Sequence, residues 1–324
     1  ISMIEKKSRE YEIEDVFRTY GVLTREAGFY FYFSRKIREL RESGHEGTAR
    51  AYASSLRSMQ RYLGKKDFPF IKLSSRIISD YQGKLLASGI CDNTIGFYLH
   101  NIKALFRKGC REMGLELPCP FRDISIKTKK TLKRSLDPVV IKTLSAIELE
   151  KDSPLSLARD IFMFSFYTRG MSFVDIALLK KRHVFPGEIC YRRHKTDQLM
   201  RVGINKEISR ILERYKNVPG EYIFPLFPAE RDPYAGYRNA YHRIRYSLGK
   251  ISRVIGLEFP LRLHAARHSW ATIAKVNGAS VHVIGECLGH TSEKTTRIYL
   301  KELDHSALDA VNNQVADFIL AVDD

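Results

Sequence analysis

The chain has 324 residues, 44% hydrophobic and 28% charged, which is length for about two domains at ~150 residues each and for a sizeable core. Lys and Arg number 54 against 37 Asp and Glu, a formal net charge of +17 at pH 7, and that balance points to a polyanionic partner. Disorder is excluded by the composition. Apolar runs such as residues 161–164 are only a few residues long and none exceeds five, far below the ~20 residues of a membrane helix, so no membrane partner is expected.

Residues 1–50 carry 10 basic and 9 acidic side chains, residues 51–250 carry 37 and 19, and residues 251–324 carry 7 and 9. The positive excess therefore belongs to the middle of the chain. Beyond Lys301 only acids remain, Glu302, Asp304, Asp309, Asp317, Asp323 and Asp324, and a tail of that sign is expected to seek protein rather than phosphate. Five cysteines, Cys91, Cys110, Cys119, Cys190 and Cys287, form no C-x-x-C pair. Their number and spacing argue against a disulfide framework or a zinc site and for a reducing, cytoplasmic setting. The opening residues, Ile1 to Lys7, lack an apolar signal core.

Residues 1–24 form a segment of unclear role, and from about residue 25 to 114 the pattern reads as four helices. In the second, Tyr52, Leu56, Met59 and Leu63 recur at i, i+4, i+7 and i+11, with Arg50, Arg57 and Arg61 on the opposite face. The fourth opens at Asp92, an N-cap candidate, and runs Ile95, Leu99, Ile102, Phe106, Cys110 and Met113 along one stripe beside Lys103, Arg107 and Arg111. A single basic stripe is ordinary solvated surface. Two in one helical unit indicate a face that meets DNA.

Pro118, Pro120 and the run from Lys127 to Arg134, with Lys127, Lys129 and Lys130 among its five basic residues, break the periodicity. Residues 120–137 read as a basic linker suited to lie along phosphates. From residue 138 the pattern is mixed: helices over 138–147 and 155–168, two short strands over 188–193 and 198–204 about the turn His194-Lys195-Thr196-Asp197, then helices over 205–216, 233–255, 265–277, 281–288 and 292–302. A last helix over 304–321 places Leu308, Val311, Val315, Phe318 and Ile319 on one side.

No P-loop G-x-x-x-x-G-K-[ST] and no H-E-x-x-H occurs. His264 and His268 have the i, i+4 spacing of metal ligands, but nothing nearby in sequence completes a ligand set, so no metal and no cofactor are expected. The informative series is His264-Ala265-Ala266-Arg267-His268, then Leu288-Gly289-His290, then Thr295-Thr296-Arg297-Ile298-Tyr299. His264 and Arg267, at i and i+3, project from one helix face and can meet a single phosphate. Each piece alone has a plain structural explanation; together, in this order and spacing, they do not.

In these motifs the sequence resembles the tyrosine recombinase family, the phage-integrase-like DNA strand-exchange enzymes. The H-x-x-R-H box stands at His264 to His268, the L-G-H box at Leu288 to His290 and the terminal tyrosine at Tyr299, and the family's β-hairpin lysine corresponds to Lys195. The first arginine departs from the pattern: the family has T-G-[LM]-R three residues before an acid, whereas this chain reads Thr168-Arg169-Gly170-Met171-Ser172 before Asp175. Ser172 thus stands where arginine is expected. Arg169 takes the role from one turn upstream, with Arg192 and Arg193 as possible substitutes.

The resemblance implies a mainly α chain with a small β-sheet in its C-terminal domain. Its fold would be a two-domain DNA clamp: a helical-bundle core-type DNA-binding domain over 25–119, the linker 120–137 and a mixed α/β catalytic domain over 138–324. It also implies a homotetramer on paired sites of double-stranded DNA, a Holliday junction intermediate, and a C-terminal helix docked on a neighbouring protomer. The expected function is site-specific recombination: integration, excision or inversion of a DNA segment, as for a mobile element.

The chemistry needs these residue types. A phosphodiester attacked by a phenol passes through a five-coordinate phosphorus whose non-bridging oxygens gain charge, and fixed guanidiniums stabilise that state selectively. Arg169 and Arg267 are the expected clamp. A phenol of pKa ~10 must lose its proton while the departing 5′-oxygen gains one. His264 is the candidate base or phosphate donor, Lys195 the candidate acid, and His290 a phosphate donor that holds the cleft together. The phosphotyrosine ester keeps the energy of the broken bond, so religation needs neither ATP nor metal. A type IB topoisomerase uses related chemistry as a monomer, and a non-catalytic DNA-binding regulator matches the charge but not the setting of Tyr299; the acidic amphipathic tail favours recombination.

Overall fold

The computed structural model describes residues 28–126, 129, 135–227, 233–290 and 292–300, together with residues 313 and 315. The segment 1–24, Lys127, Lys130 and most of the 304–321 helix, including Leu308, Val311, Phe318 and Ile319, lie outside the described residues. The chain divides into two compact units, Ile1–Thr131 and Leu132–Asp324.

The first unit holds α1 (Phe29–Glu42), α2 (Glu46–Leu63), α3 (Ser75–Ala87) and α4 (Asp92–Glu112). The apolar stripes meet as the sequence periodicity requires. Phe29, Phe33, Met59, Tyr81, Leu99 and Ile102 are buried in one core, with Tyr52, Leu63, Cys110 and Met113 packed at its edge. The first turn of α1 has no side-chain N-cap of its own. Asp67 reaches over instead and accepts from the backbone N–H of Tyr30 at 2.8 Å and of Phe31 at 2.9 Å, satisfying donors a helix start leaves open. Gly109 lets the Phe70 ring lie against α4, since a Cβ there would stand 2.5 Å from that ring.

Asp92 is not the N-cap. Cys91 takes that position without a side-chain bond, and Asp92, inside the helix, pairs with Lys129 at 2.9 Å. Asn93 adds two hydrogen bonds to the Lys129 backbone. Phe121 is buried in the first core and Leu136 in the second, so the chain between the two cores is shorter than the 120–137 stretch read from the prolines and basic residues.

In the second unit α5 (Pro138–Ala146) and α6 (Pro154–Tyr167) start on Asp137 and Ser153 as N-caps, each followed by Pro in the first turn. α6 is the central rod: Ile161, Phe162 and Phe164 are fully buried on it. Its Asp160, also buried, accepts from Arg159, Arg214 and Tyr215. Then come α7 (Phe173–Ala177), strands β1 (Val184–Phe185), β2 (Glu188–Arg192) and β3 (Leu199–Gly203), and helices α8 (Lys206–Arg214), α9 (Pro233–Val254), α10 (Leu263–Val276), α11 (Val281–Leu288) and α12 (Glu293–Tyr299). The strands form one antiparallel sheet in the order β1-β2-β3, with Tyr191 opposite Met200 and Arg192 opposite Leu199. α9 and α10 pack on α6. The backbone N–H of Leu136 donates to the buried Ser269 hydroxyl at 2.7 Å, seating the start of this unit on α10.

The molecule is thus mainly helical with one small sheet. α7 and β1 are absent from the sequence reading, because five and two residues are too few to show a period. α12 ends at Tyr299 rather than 302, where Leu300 turns to extended backbone. Asn313 and Val315 are helical, and Val315 is 57% exposed.

Candidate active site

The site begins where α6 stops. Thr168 caps the helix by donating to the Phe164 carbonyl at 2.6 Å, and the next two residues both adopt left-handed backbone, Arg169 at φ 59° and Gly170 at φ 75°. Glycine is required at the second: a Cβ on Gly170 would stand 2.6 Å from Cγ of Arg267. The sharp turn presses the chain against the stem of Arg267. That arginine is only 5% exposed. Its Nη1 donates to the Gly170 carbonyl at 2.8 Å and its Nη2 to the Leu288 carbonyl at 2.5 Å and to Nε2 of His290 at 2.9 Å.

The last contact settles the tautomer of His290. A guanidinium only donates, so Nε2 accepts, and Nδ1 carries the proton it donates to Thr296 Oγ1, 3.0 Å away. The imidazole is held neutral, its pKa pushed down to about 4 by burial first and then by the charges of Arg267, Arg193 and Lys195. The expected role of His290 as phosphate donor is therefore not the one this arrangement displays: Nε2 orients Arg267 instead. Gly289, in left-handed backbone at the end of α11, makes the turn that delivers it.

From the other side comes the β2–β3 hairpin. Tyr191 is buried, and its phenol is raised by burial and by Asp175, against the pull of Arg193, Arg267 and Arg169. The charges of three guanidiniums and one carboxylate thus act on one phenol. Arg193 donates from Nη1 to the Gly289 carbonyl. Arg192, one residue earlier and on the opposite face, donates to the Asp197 carbonyl at 2.9 Å and is exposed. Of the two hairpin arginines, only Arg193 faces the site. Lys195 sits exposed in the turn. Asp175 fastens that turn: its Oδ1 accepts from the His194 backbone N–H at 2.8 Å, and its Oδ2 from the Ser172 hydroxyl at 2.5 Å. Ser172, in the place of the family's first arginine, caps α7 and is turned to Asp175.

His264 is exposed in the first turn of α10, its ring edge-on to that of buried His268 with centroids 5.1 Å apart. α12 ends on Tyr299, and one turn earlier its Thr296 is fully buried. Arg169, Arg193, Lys195, Arg267 and His290 are brought together in this way, His264 lies one helical turn from Arg267, and the backbone of Tyr299 ends the helix that Thr296 ties to His290. Among the described residues no cluster of His, Cys, Asp and Glu could hold a metal, and no helix is long and apolar enough to cross a membrane.

In the first unit Arg50, Arg57, Arg61, Arg107 and Arg111 are exposed and Lys103 is half-buried. Arg50 is also paired with Glu46 at 2.8 Å. A basic face that the sequence reading passed over lies on α9, where Arg238, His242, Arg245 and Arg253 are exposed at i, i+4, i+7 and i+15. His242, Arg245 and Arg253 border a cavity of about 610 Å³ whose rim includes Lys250, Arg262 and the single acid Glu258. The same helical spacing that exposed the α2 stripe identifies it. Changing Arg238, Arg245 and Arg253 to Gln is expected to weaken all duplexes alike and to flatten the logarithmic salt dependence of binding by about 0.9 per lost phosphate contact. An unchanged slope in a salt titration assigns that face to solvent.

Residues 135–305 match the model of the phage integrase family and residues 28–122 that of the phage integrase SAM-like domain. The chain is similar to tyrosine recombinase XerC of Shewanella oneidensis, 26% identical over 226 residues that cover 67% of this chain and 70% of the relative. Its fold is similar to that of a lambda integrase(75–356) dimer bound to a COC′ core site, with a TM-score of 0.64 and 18% identity over 86% of this chain and 98% of that one. A lambda integrase tetramer bound to a Holliday junction gives a TM-score of 0.60 and 15% identity, covering 90% and 85%. With one family model spanning more than half of its length and a second covering the helical unit before it, the chain belongs to the phage integrase family.

Proposed function

We propose that this protein is a site-specific DNA recombinase that cuts and rejoins duplex DNA through a 3′-phosphotyrosine. The observation that carries the reading is the buried Arg267, bonded to the Gly170 and Leu288 carbonyls and to His290, with Arg193 bonded to Gly289 beside it and a helix that ends on Tyr299. Two guanidiniums fixed by hydrogen bonds, with Arg169 as a third charge, suit a phosphorus centre whose oxygens gain charge as it is attacked.

In this reading Arg267, aligned by His290 and by the Gly170 and Leu288 carbonyls, holds one non-bridging oxygen, and Arg169 holds the other, with Arg193 adding charge from the hairpin root. The Tyr299 phenol attacks phosphorus, its proton passing to His264. The bond to the 5′-oxygen breaks, and Lys195 gives that oxygen a proton. A 5′-hydroxyl from a partner strand then attacks the ester, giving its proton to Lys195 while His264 returns one to the departing Tyr299, with no external energy source. The stripes of α2 and α4, the face of α9 and the basic run with Lys127, Lys129 and Lys130 bind the phosphates; within that run Lys129 contributes least, since Asp92 already holds its ammonium.

The direct test uses a duplex nicked beside the cleavage site, so that a short fragment diffuses away and religation is blocked. A protein–DNA adduct that survives denaturing electrophoresis is expected. Its absence leaves a DNA-binding regulator, and relaxation of plasmid without paired sites indicates a topoisomerase.

The acidic tail with its apolar stripe is assigned to a neighbouring protomer of a tetramer, an assembly supported by the lambda integrase tetramer on its junction. Ending the chain at Leu303 is expected to keep single-protomer binding to a half-site and to remove cooperative loading of the full site. Unchanged higher complexes in a gel-shift titration would place the subunit contact elsewhere.

A further inference from the structure

The hydrogen-bond chain behind Arg267 contains a member that phosphate binding itself does not require. Thr296 is fully buried, lies three residues before Tyr299 on α12, and accepts the Nδ1 proton of His290, 3.0 Å away. Its hydroxyl also fills the gap left by a glycine: a Cβ on Gly285 would stand 2.9 Å from Thr296 Oγ1. Seven residues make α12 too short to be stable alone, so where it sits depends on what its buried side chains grip.

We propose that Thr296 is a positioning residue for strand cleavage, whose hydroxyl fixes His290 with Nε2 turned to Arg267 and, by the same bond, registers the helix of Tyr299 to that arginine. The inference rests on the reading of Tyr299 as nucleophile and Arg267 as clamp. One hydroxyl then serves two ends. Without it the imidazole loses the acceptor that holds its ring in place, Arg267 loses a fixed acceptor, and α12 loses its tie to the clamp. A threonine buried only for packing would do none of these things, since valine has nearly the same shape.

The test measures single-turnover cleavage of the nicked duplex, with duplex affinity read separately by gel shift. Thr296→Val is expected to cleave at least about tenfold more slowly, the worth of one well-placed hydrogen bond, with affinity within about twofold. Thr296→Ser, which keeps the acceptor, is expected to recover most of the rate. The deciding comparison is made in a His290→Ala background, where Thr296→Val should cost less than about twofold because its partner is already gone. An equal loss in both backgrounds, a Ser variant as slow as Val, or a Val variant at the normal rate each overturns the proposal. Should Val disturb folding, Thr296→Ala carries the same comparison without crowding Gly285. Failure here is separable from failure of the underlying reading, since adduct formation by the unaltered protein and its loss in a Tyr299→Phe variant test that reading alone.

Discussion

A Tyr299→Phe variant is expected to give no covalent adduct with the nicked duplex while binding intact duplex within about twofold of the unaltered protein. The substitution deletes one oxygen at the end of α12 and leaves the aromatic ring, so the helix keeps its apolar content and Thr296 keeps its bond to His290. Nothing in the arginine cluster changes, and the ground-state attraction for phosphate stays. What disappears is the atom that forms the ester, and no other group substitutes for a missing nucleophile at a measurable rate. A surviving adduct on the denaturing gel would assign the nucleophile to another residue.

Arg169→Gly is expected to move stability and activity in opposite directions. Arg169 is held at φ 59°, a left-handed conformation that costs a side-chain-bearing residue about 1–2 kcal/mol and glycine almost nothing. Part of the relief is offset by the greater freedom of glycine in the unfolded chain. The thermal midpoint should still rise, by about 2–4 °C if ~1 kcal/mol remains in a unit of this size. Cleavage should fall by about 100-fold or more, as it does when a donor to a developing oxyanion is removed. A residue kept for the fold would not be more stable when removed, which separates the two explanations for this strained arginine. Cleavage at the normal rate would pass the clamp to Arg193, and an Arg193→Ala variant would then show the loss.

Much of this was legible in the sequence. Helices with long apolar stripes, such as α4 with Ile95, Leu99 and Ile102 buried, follow from periodicity, because burial of one face is what stabilises them. The hairpin followed from two β-rich runs about a polar turn. The choice between Arg192 and Arg193 was also within reach: Ile189 and Tyr191 are buried and alternate with the more accessible Glu188, Cys190 and Arg192, so the same parity places Arg193 inward and Arg192 outward. Other features were out of reach. The tautomer of His290 depends on which of its ring nitrogens meets Arg267, and two residues 23 positions apart leave no local trace. Asp92 reads as an N-cap by its type, yet Lys129 gives its carboxylate a competing partner from outside the helix. Ser172 in the place of an arginine looks like a lost function until Asp175 is seen accepting its hydroxyl.

The hairpin that bears Lys195 is bolted at its root and open at its tip, since His194 is bonded to Asp175 and Arg193 to Gly289 while Lys195 and Thr196 are exposed. In the proposed reaction Lys195, as proton donor, is therefore a reagent on a short tether. Its ammonium searches a volume set by its own side-chain rotors, and ordering it on a bound strand costs at most about 2 kcal/mol of rotamer entropy. A mobile loop would add about 1–2 kcal/mol for every backbone residue it had to order. Confinement of that kind gives the ammonium an effective molarity beyond any concentration of free amine, so proton delivery to the departing oxygen behaves as an intramolecular step, its timing independent of any slow loop excursion.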